Sequence, residues 1–287
     1  MKDQAEMLRQ RIQQMSGKPS PKSLAVVSGK GGVGKSNFSL NFSISLASRG
    51  YKVLLFDMDV GMGNIDILIG QSASYSIVDY FEGRKTLSEI VSTGPHGLHY
   101  VAGGTGLTHF VNMDKPVHMK FTEDLSNLLS DYEYILFDMG AGATKETVPF
   151  ILAVDEVLVV TTPEPTSITD AYAMMKHIHL HDSSLPFLLI VNRVHSENEG
   201  METFKRLRTV VNRFLNREII EFGMIPDDRQ VHQAVTKQTP FIFNEKAPAA
   251  KALQQMTSRF EARQFESISD KPKTHFVSKL KRFLFER

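Results

Sequence analysis

Residues Gly29 to Ser36 read Gly-Lys-Gly-Gly-Val-Gly-Lys-Ser, directly after the apolar run Leu24–Ser28. Glycine serves where the backbone must turn left-handed or come close to a bound group. The spacing Gly-x-x-x-x-Gly-Lys-Ser belongs to a loop that leaves a strand, wraps phosphate and opens a helix. Its backbone N–H groups and the helix N-terminus supply the positive field. Such a loop therefore demands a strand before it and a helix after it. Leu24–Ser28 fits the first, and the stretch from Ser36 onward fits the second.

The rest of the chain repeats that alternation. Short apolar runs fall at Leu24–Ser28, Val53–Asp57, Tyr134–Asp138, Val157–Thr161, Phe187–Asn192 and Ile219–Met224, separated by longer amphipathic stretches. Near-continuous Val, Ile, Leu and Phe is what parallel strands covered on both faces require. The fold expected is α/β: a doubly wound, mostly parallel sheet with helices on both faces. Functional loops should then follow the carboxyl ends of the strands. Three parts are expected: a polar N-terminal segment and linker over 1–23, a nucleotide-binding domain over 24–264, and a linker with a short helix over 265–287. At 287 residues the chain can bury a substantial core. A net charge of +1 gives no whole-surface attraction for nucleic acid. The absence of cysteine fits a reducing cytoplasm and leaves no thiolate for an iron–sulfur cluster. No leader pattern is present, and no apolar stretch is long enough to span a bilayer.

Within the loop, the backbone of Gly29, Lys30, Gly31, Gly32, Val33 and Gly34 and the adjacent Asn37 are phosphate-site positions. Lys35 is placed to contact the β- and γ-phosphates, and the Ser36 hydroxyl to hold Mg²⁺. Tyr134-Ile-Leu-Phe-Asp138 has the form of a second nucleotide-site strand, its terminal Asp138 holding Mg²⁺ through water. Gly140 and Gly142 then give the following segment freedom to respond to a γ-phosphate. A third strand ends in Phe56-Asp57-Met58-Asp59. A carboxylate there can orient an attacking or magnesium-bound water; Asp57 is read as support for the strand end.

A second lysine near the start of the loop, Lys30, resembles the deviant Walker A motif of the MinD/ParA class of P-loop ATPases. That resemblance implies an ATP-dependent homodimer in which Lys30 reaches across to the partner's phosphates. Asp59-Val-Gly-Met-Gly-Asn64-Ile-Asp66 is similar to the switch I segment of MinD, which implies that Asp59 positions or activates the hydrolytic water. Lys30, Lys35 and Asp59 are thus the expected catalytic residues. Asn192 and Arg193, and Ile225, Pro226 and Asp227, resemble the segments that hold adenine in this family, Asn192 by its side-chain amide. The Asn-Lys-x-Asp pattern of GTPases is absent, so the cofactors expected are ATP and Mg²⁺.

The chain ends distinguish members of the class. Phe276, Val277, Leu280, Phe283 and Leu284 share one helical face, flanked by Lys279, Lys281 and Arg282. Such a helix suits the interface of an anionic membrane, and the polar stretch Ser267–Lys273 is expected to separate it from the core. Two copies in a dimer would gain from effective concentration. At the other end, Asp3-Gln4-Ala5-Glu6-Met7-Leu8-Arg9 resembles the activator segment of the FlhG (YlxH) family, MinD-like regulators of flagellar number and placement. There the segment binds FlhF, a signal-recognition-type GTPase, and stimulates it. Gln4 is the residue expected to act, with Leu8 and Arg9 in the contact. Lys205, Arg206, Arg208 and Arg213 lie on an expected surface helix with Phe204, Leu207, Val211 and Phe214; solvated charge is the default reading, and the alternative is a basic-apolar face that contacts a flagellar switch component. His177 and His181 share a helical face, but no glutamate completes a metal motif. The resemblance implies a cytoplasmic, peripherally membrane-bound switch ATPase that recognises no specific nucleic acid. A division-site MinD or a ParA-type DNA partitioner is the alternative.

Overall fold

The computed structural model describes residues 20–59, 64–104, 114–142, 144, 147–262 and 276–285. Eight strands form one sheet: β1 (Lys22–Val27), β2 (Val53–Met58), β3 (Val91–Thr93), β4 (His99–Val101), β5 (Tyr134–Met139), β6 (Glu156–Thr161), β7 (Phe187–Val194) and β8 (Ile220–Pro226). Their order is β3-β4-β2-β5-β1-β6-β7-β8. Every pairing is parallel except β3 with β4. All six apolar runs became strands. The sequence reading missed β3 and β4 because three-residue strands at a sheet edge carry no periodic signal.

The helices among the described residues are α1 (Lys35–Ala47), α2 (Ile65–Ile69), α3 (Ile77–Phe81), α4 (Lys115–Leu129), α5 (Val148–Ala153), α6 (Pro165–His181), α7 (Glu197–Leu215), α8 (Arg229–Thr236), α9 (Pro248–Glu261) and α10 (Phe276–Phe285). Alternate strand residues point to opposite faces, which divides the core into two layers. Leu24, Val26, Leu55 and Leu136 face α1, α2 and α9. Ala25, Val27, Leu54 and Phe137 face the layer built from α3 to α7 and α10.

β1 lies at the centre, between β5 and β6. The connection from β1 runs towards β2 on one side and later towards β6 on the other, so the carboxyl end of β1 is a switch point in strand order. A crevice opens at such a point, and the glycine loop sits there.

The tail differs from expectation. The α10 helix packs on α4 and α5, and Phe276, Val277 and Leu280 are buried in the core. Phe276 stacks on Phe137 of β5 with ring centroids 4.7 Å apart. Phe283 and Leu284 pack against the same cluster. Lys279 anchors the rim, its Nζ donating to the Val154 carbonyl at 3.2 Å and lying 3.7 Å from Asp155. The expectation of a helix held away from the core is therefore corrected. An apolar face buries against whatever apolar surface it meets, and α4 and α5 offer one on its own domain. No helix among the described residues is long and apolar enough to cross a membrane.

Candidate nucleotide site

The loop after β1 enters α1 through Gly34, whose φ of +91° is left-handed. A Cβ there would lie 2.3 Å from the Asn192 amide nitrogen. Backbone conformation and space thus both demand glycine. Gly29 is fixed by space alone, since a Cβ would fall 2.0 Å from the Asp170 carbonyl oxygen of α6.

Lys35, only 7 % exposed, points inward. Its Nζ donates to Asp138 Oδ1 at 2.8 Å and to Ser36 Oγ at 3.3 Å. Ser39, one turn further along α1, donates to the same Asp138 oxygen at 2.8 Å. The other oxygen, Oδ2, is buried without a hydrogen-bond partner. An orphaned carboxylate oxygen beside a serine hydroxyl and the glycine loop is a donor set that fits a hydrated Mg²⁺. Ser36 and Asp138 are the residues that would hold it. The sequence reading missed Ser39, although the i, i+4 spacing from Lys35 places the two on one helical face.

At the end of β2, Asp57 is buried and Asp59 lies at the rim. The Asp57 carboxylate accepts from the backbone N–H of Asp59 at 3.0 Å, Asn64 at 2.8 Å and Ile65 at 3.3 Å. Burial, and secondarily the neighbouring Asp138 carboxylate, push its pKa up to about 6. Asn64 donates its side-chain amide to Asp59 Oδ2 at 3.2 Å. The segment after β5 also closes on the loop, with Gly142 N–H donating to the Ser28 carbonyl at 3.2 Å.

Lys30 takes a local partner in the single chain. Its Nζ lies 3.1 Å from Glu164 Oε2 and 3.3 Å from Thr166 Oγ1, both at the start of α6. Reaching a second subunit requires leaving these contacts.

Next to the phosphate loop, a cleft of about 240 Å³ opens between β7, β8, α1 and α8. The expected base-site residues Asn192, Arg193, Ile225, Pro226 and Asp227 line it together with Gly34 and Asn37. Asn192 has two protein partners. Its Nδ2 donates to the Val33 carbonyl at 2.8 Å, and its Oδ1 accepts from the Arg193 N–H at 3.0 Å. The amide ties the phosphate loop to the base cleft and keeps one N–H for a ligand. Arg193 stands in the left-handed region at φ 57°. Phe38, Asp228, Val231, His232, Val235, Thr236 and Phe241 complete the walls. Those on α8 and at Phe241 were not legible beforehand, because α8 and the turn Phe241–Phe243 approach the cleft only through packing. His195 and His232 flank the Asp227 carboxylate at 3.8 and 3.7 Å.

Gln4, Leu8 and Arg9 lie outside the described residues, as does the expected linker Ser267–Lys273. No group of three or more metal-ligating side chains gathers among the described residues, the His177–His181 pair included.

This is a P-loop site on a MinD/ParA-type sheet, and sequence comparison agrees. The CobQ/CobB/MinD/ParA nucleotide binding domain matches residues 24–241, and the chain belongs to that family, among its FlhG/MinD-like ATPases. It is 37 % identical over 215 residues to "Antiactivator FleN" of Pseudomonas aeruginosa, covering 75 % of this chain and 77 % of that one. It is 35 % identical over 234 residues to "Flagellum site-determining protein YlxH" of Helicobacter pylori, covering 77 % and 75 %. Among solved structures, the MinC:MinD cell division protein complex of Aquifex aeolicus aligns with a TM-score of 0.67 at 28 % identity, over 88 % of this chain and 100 % of that one. The Mg-ADP complex of MinD from Pyrococcus horikoshii shares the fold, with a TM-score of 0.69 at 23 % identity over 85 % of this chain and 98 % of that one.

Proposed function

We propose that this protein is an ATP-dependent dimerising switch ATPase that regulates flagellar number and placement. The hydrogen-bonded group Lys35, Ser36 and Asp138, with Asp59 beside the Gly140 backbone two residues past Asp138, carries the enzymatic part of this reading. ATP binds with its phosphates on residues 29–37 and its base in the cleft beside Asn192 and Ile225–Asp227. Ser36 and, through water, Asp138 would hold Mg²⁺, which would neutralise charge on the phosphates. Asp59 orients the water that attacks the γ-phosphorus, releasing ADP and phosphate. Lys30 leaves Glu164 and reaches the partner subunit's phosphates, so the dimer exists only with ATP.

In that dimer α10 leaves its groove, and two copies of its apolar stripe hold an anionic membrane. Residues 1–20 engage an FlhF-type GTPase and stimulate it through Gln4. The name of the YlxH relative, a flagellum site-determining protein, supports the flagellar part. The exposed Phe214, with Arg213 stacked over its ring at 5.4 Å and Arg206 on the same helix, suits a flagellar switch component. Charge reversal at Arg206 and Arg213 abolishes that binding; unchanged binding removes α7 from the account.

The decisive experiment measures GTP hydrolysis by an FlhF-type GTPase with and without a peptide of residues 1–20. Stimulation that disappears with Gln4→Ala supports the flagellar assignment. No stimulation leaves a MinD-like ATPase and favours the second reading, division-site placement. That reading draws on 31 % identity over 279 residues to the septum site-determining protein MinD of Helicobacter pylori.

A further inference from the structure

Away from the nucleotide site, two imidazoles near the end of α6 stand in chelating geometry. The helix buries Ala171, Met174, Met175 and Ile178 as it packs on β6, α5 and α7. His177 and His181 are left exposed on its outer side. Residues four apart on a helix are surface neighbours. The two rings have centroids 4.9 Å apart and planes inclined at 58°. A tetrahedral ion bound by one nitrogen of each ring at about 2 Å would hold the centroids about 5 Å apart. The pair therefore already has the spacing that a shared ion requires.

Hydrogen bonding sets the tautomer of one ring. His181 Nδ1 lies 2.9 Å from the His177 carbonyl oxygen. A carbonyl oxygen only accepts, so in the neutral ring Nδ1 carries the proton and donates it. The Nε2 lone pair is then left for a metal. Metal-binding histidines are oriented in this way in general, one ring nitrogen tied to a carbonyl and the other on the ion. The His177 ring is exposed, and a half-turn about its Cβ–Cγ bond exchanges its two nitrogens with little movement of the centroid. Asp182 is turned to Ser184, its Oδ1 accepting from the N–H and the hydroxyl at 2.7 Å each. His179 is two residues from either imidazole and so off their face. No group of three ligating side chains occurs among the described residues. The other positions on an ion are open to water.

We propose that His177 and His181 form a two-histidine chelate for a divalent transition ion of the zinc, nickel and copper class, closing the last turn of α6. Imidazole suits these ions, whereas Mg²⁺ takes oxygen ligands, so this site and the phosphate site select different metals. The pair lacks the glutamate that accompanies a hydrolytic two-histidine helix, and its role is binding. An ion held by the folded helix stabilises it by mass action.

The test is isothermal titration of the untagged, metal-stripped, full-length protein with ZnCl₂, in excess Mg²⁺ and without nucleotide. One Zn²⁺ per chain is expected at this site. His177→Ala and His181→Ala each weaken it at least about tenfold, because either change destroys the chelate. A rival lies at the base cleft, where His195 and His232 flank the Asp227 carboxylate at 3.8 and 3.7 Å. His195→Ala disturbs that rival and leaves the α6 ion in place. Thermal melting gives a second readout. Zn²⁺ raises the melting temperature of the parent and of His195→Ala, and not that of the two α6 variants. Both α6 positions are exposed, so without metal those variants melt with the parent. The proposal is overturned if no Zn²⁺ binds, or if binding and the melting shift survive in both α6 variants. Loss in only one α6 variant overturns the chelate, and loss in His195→Ala alone assigns the ion to the base cleft and overturns it as well.

Discussion

The glycine loop and the α10 helix were both read from short sequence patterns, yet they teach opposite lessons. The loop lies where its pattern demanded, between β1 and α1 at the switch point of the sheet. Its conformation needs the backbone freedom of glycine at Gly34, and Asp170 and Asn192 then close on a loop whose pattern already allows for them. The pattern of α10 specified an apolar stripe and nothing more. A stripe can bury in a membrane or on a protein, and in this structure Phe276, Val277 and Leu280 are buried on the protein. A motif that encodes backbone geometry is self-sufficient; one that encodes only hydrophobicity leaves its partner open.

The contrast can be broken experimentally, and the largest effect belongs to the loop. Gly34→Ala forces an unfavourable φ and drives a methyl into Asn192, so nucleotide affinity should fall at least about 100-fold, as loss of a close backbone approach implies. Titration with a fluorescent ATP analogue measures this, and near-normal affinity would show that the loop tolerates a side chain. Breaking the buried Lys35–Asp138 pair comes next. Asp138→Ala strands a buried ammonium and should cost about 3 kcal/mol of stability in urea unfolding. Retention of full stability would mean that Lys35 finds water.

Phe276→Ala sharpens the tail side. Removing a ring stacked on Phe137 and near Phe150 should cost about 3 kcal/mol if α10 unfolds with the domain. If α10 is released separately, the main unfolding transition stays in place, and protease cleavage near residue 270 becomes faster. That outcome would align the docked helix with the proposed membrane cycle. Glu164→Ala gives the smallest change. Its pair with Lys30 is exposed on both sides, so stability should move by about 0.5 kcal/mol or less.

The base cleft lies between these extremes. Asn192 and Ile225–Asp227 were singled out through resemblance because they stand at the carboxyl ends of apolar runs at fixed places in the chain. His232 and Val235 were not, since they sit on α8, a helix after β8 that reaches the cleft only through packing. The contacts of Asn64 were not legible for a similar reason. Its side chain donates to Asp59 and its backbone N–H to a buried carboxylate seven residues earlier, and no local spacing encodes that.

By itself, the sequence determined the six main strands, the alternation that makes the sheet parallel, and the phosphate loop with its lysines, serine and strand-end carboxylates. Each of these depends on local periodicity, glycine backbone freedom or position after an apolar run. Only the tertiary structure decided where Lys30 rests, what Asn192 binds, how Asp57 and Asn64 hold Asp59, and which surface covers α10. Those outcomes turn on which groups meet across the fold, and whether a buried polar or apolar group finds a partner is settled only when the layers close around it.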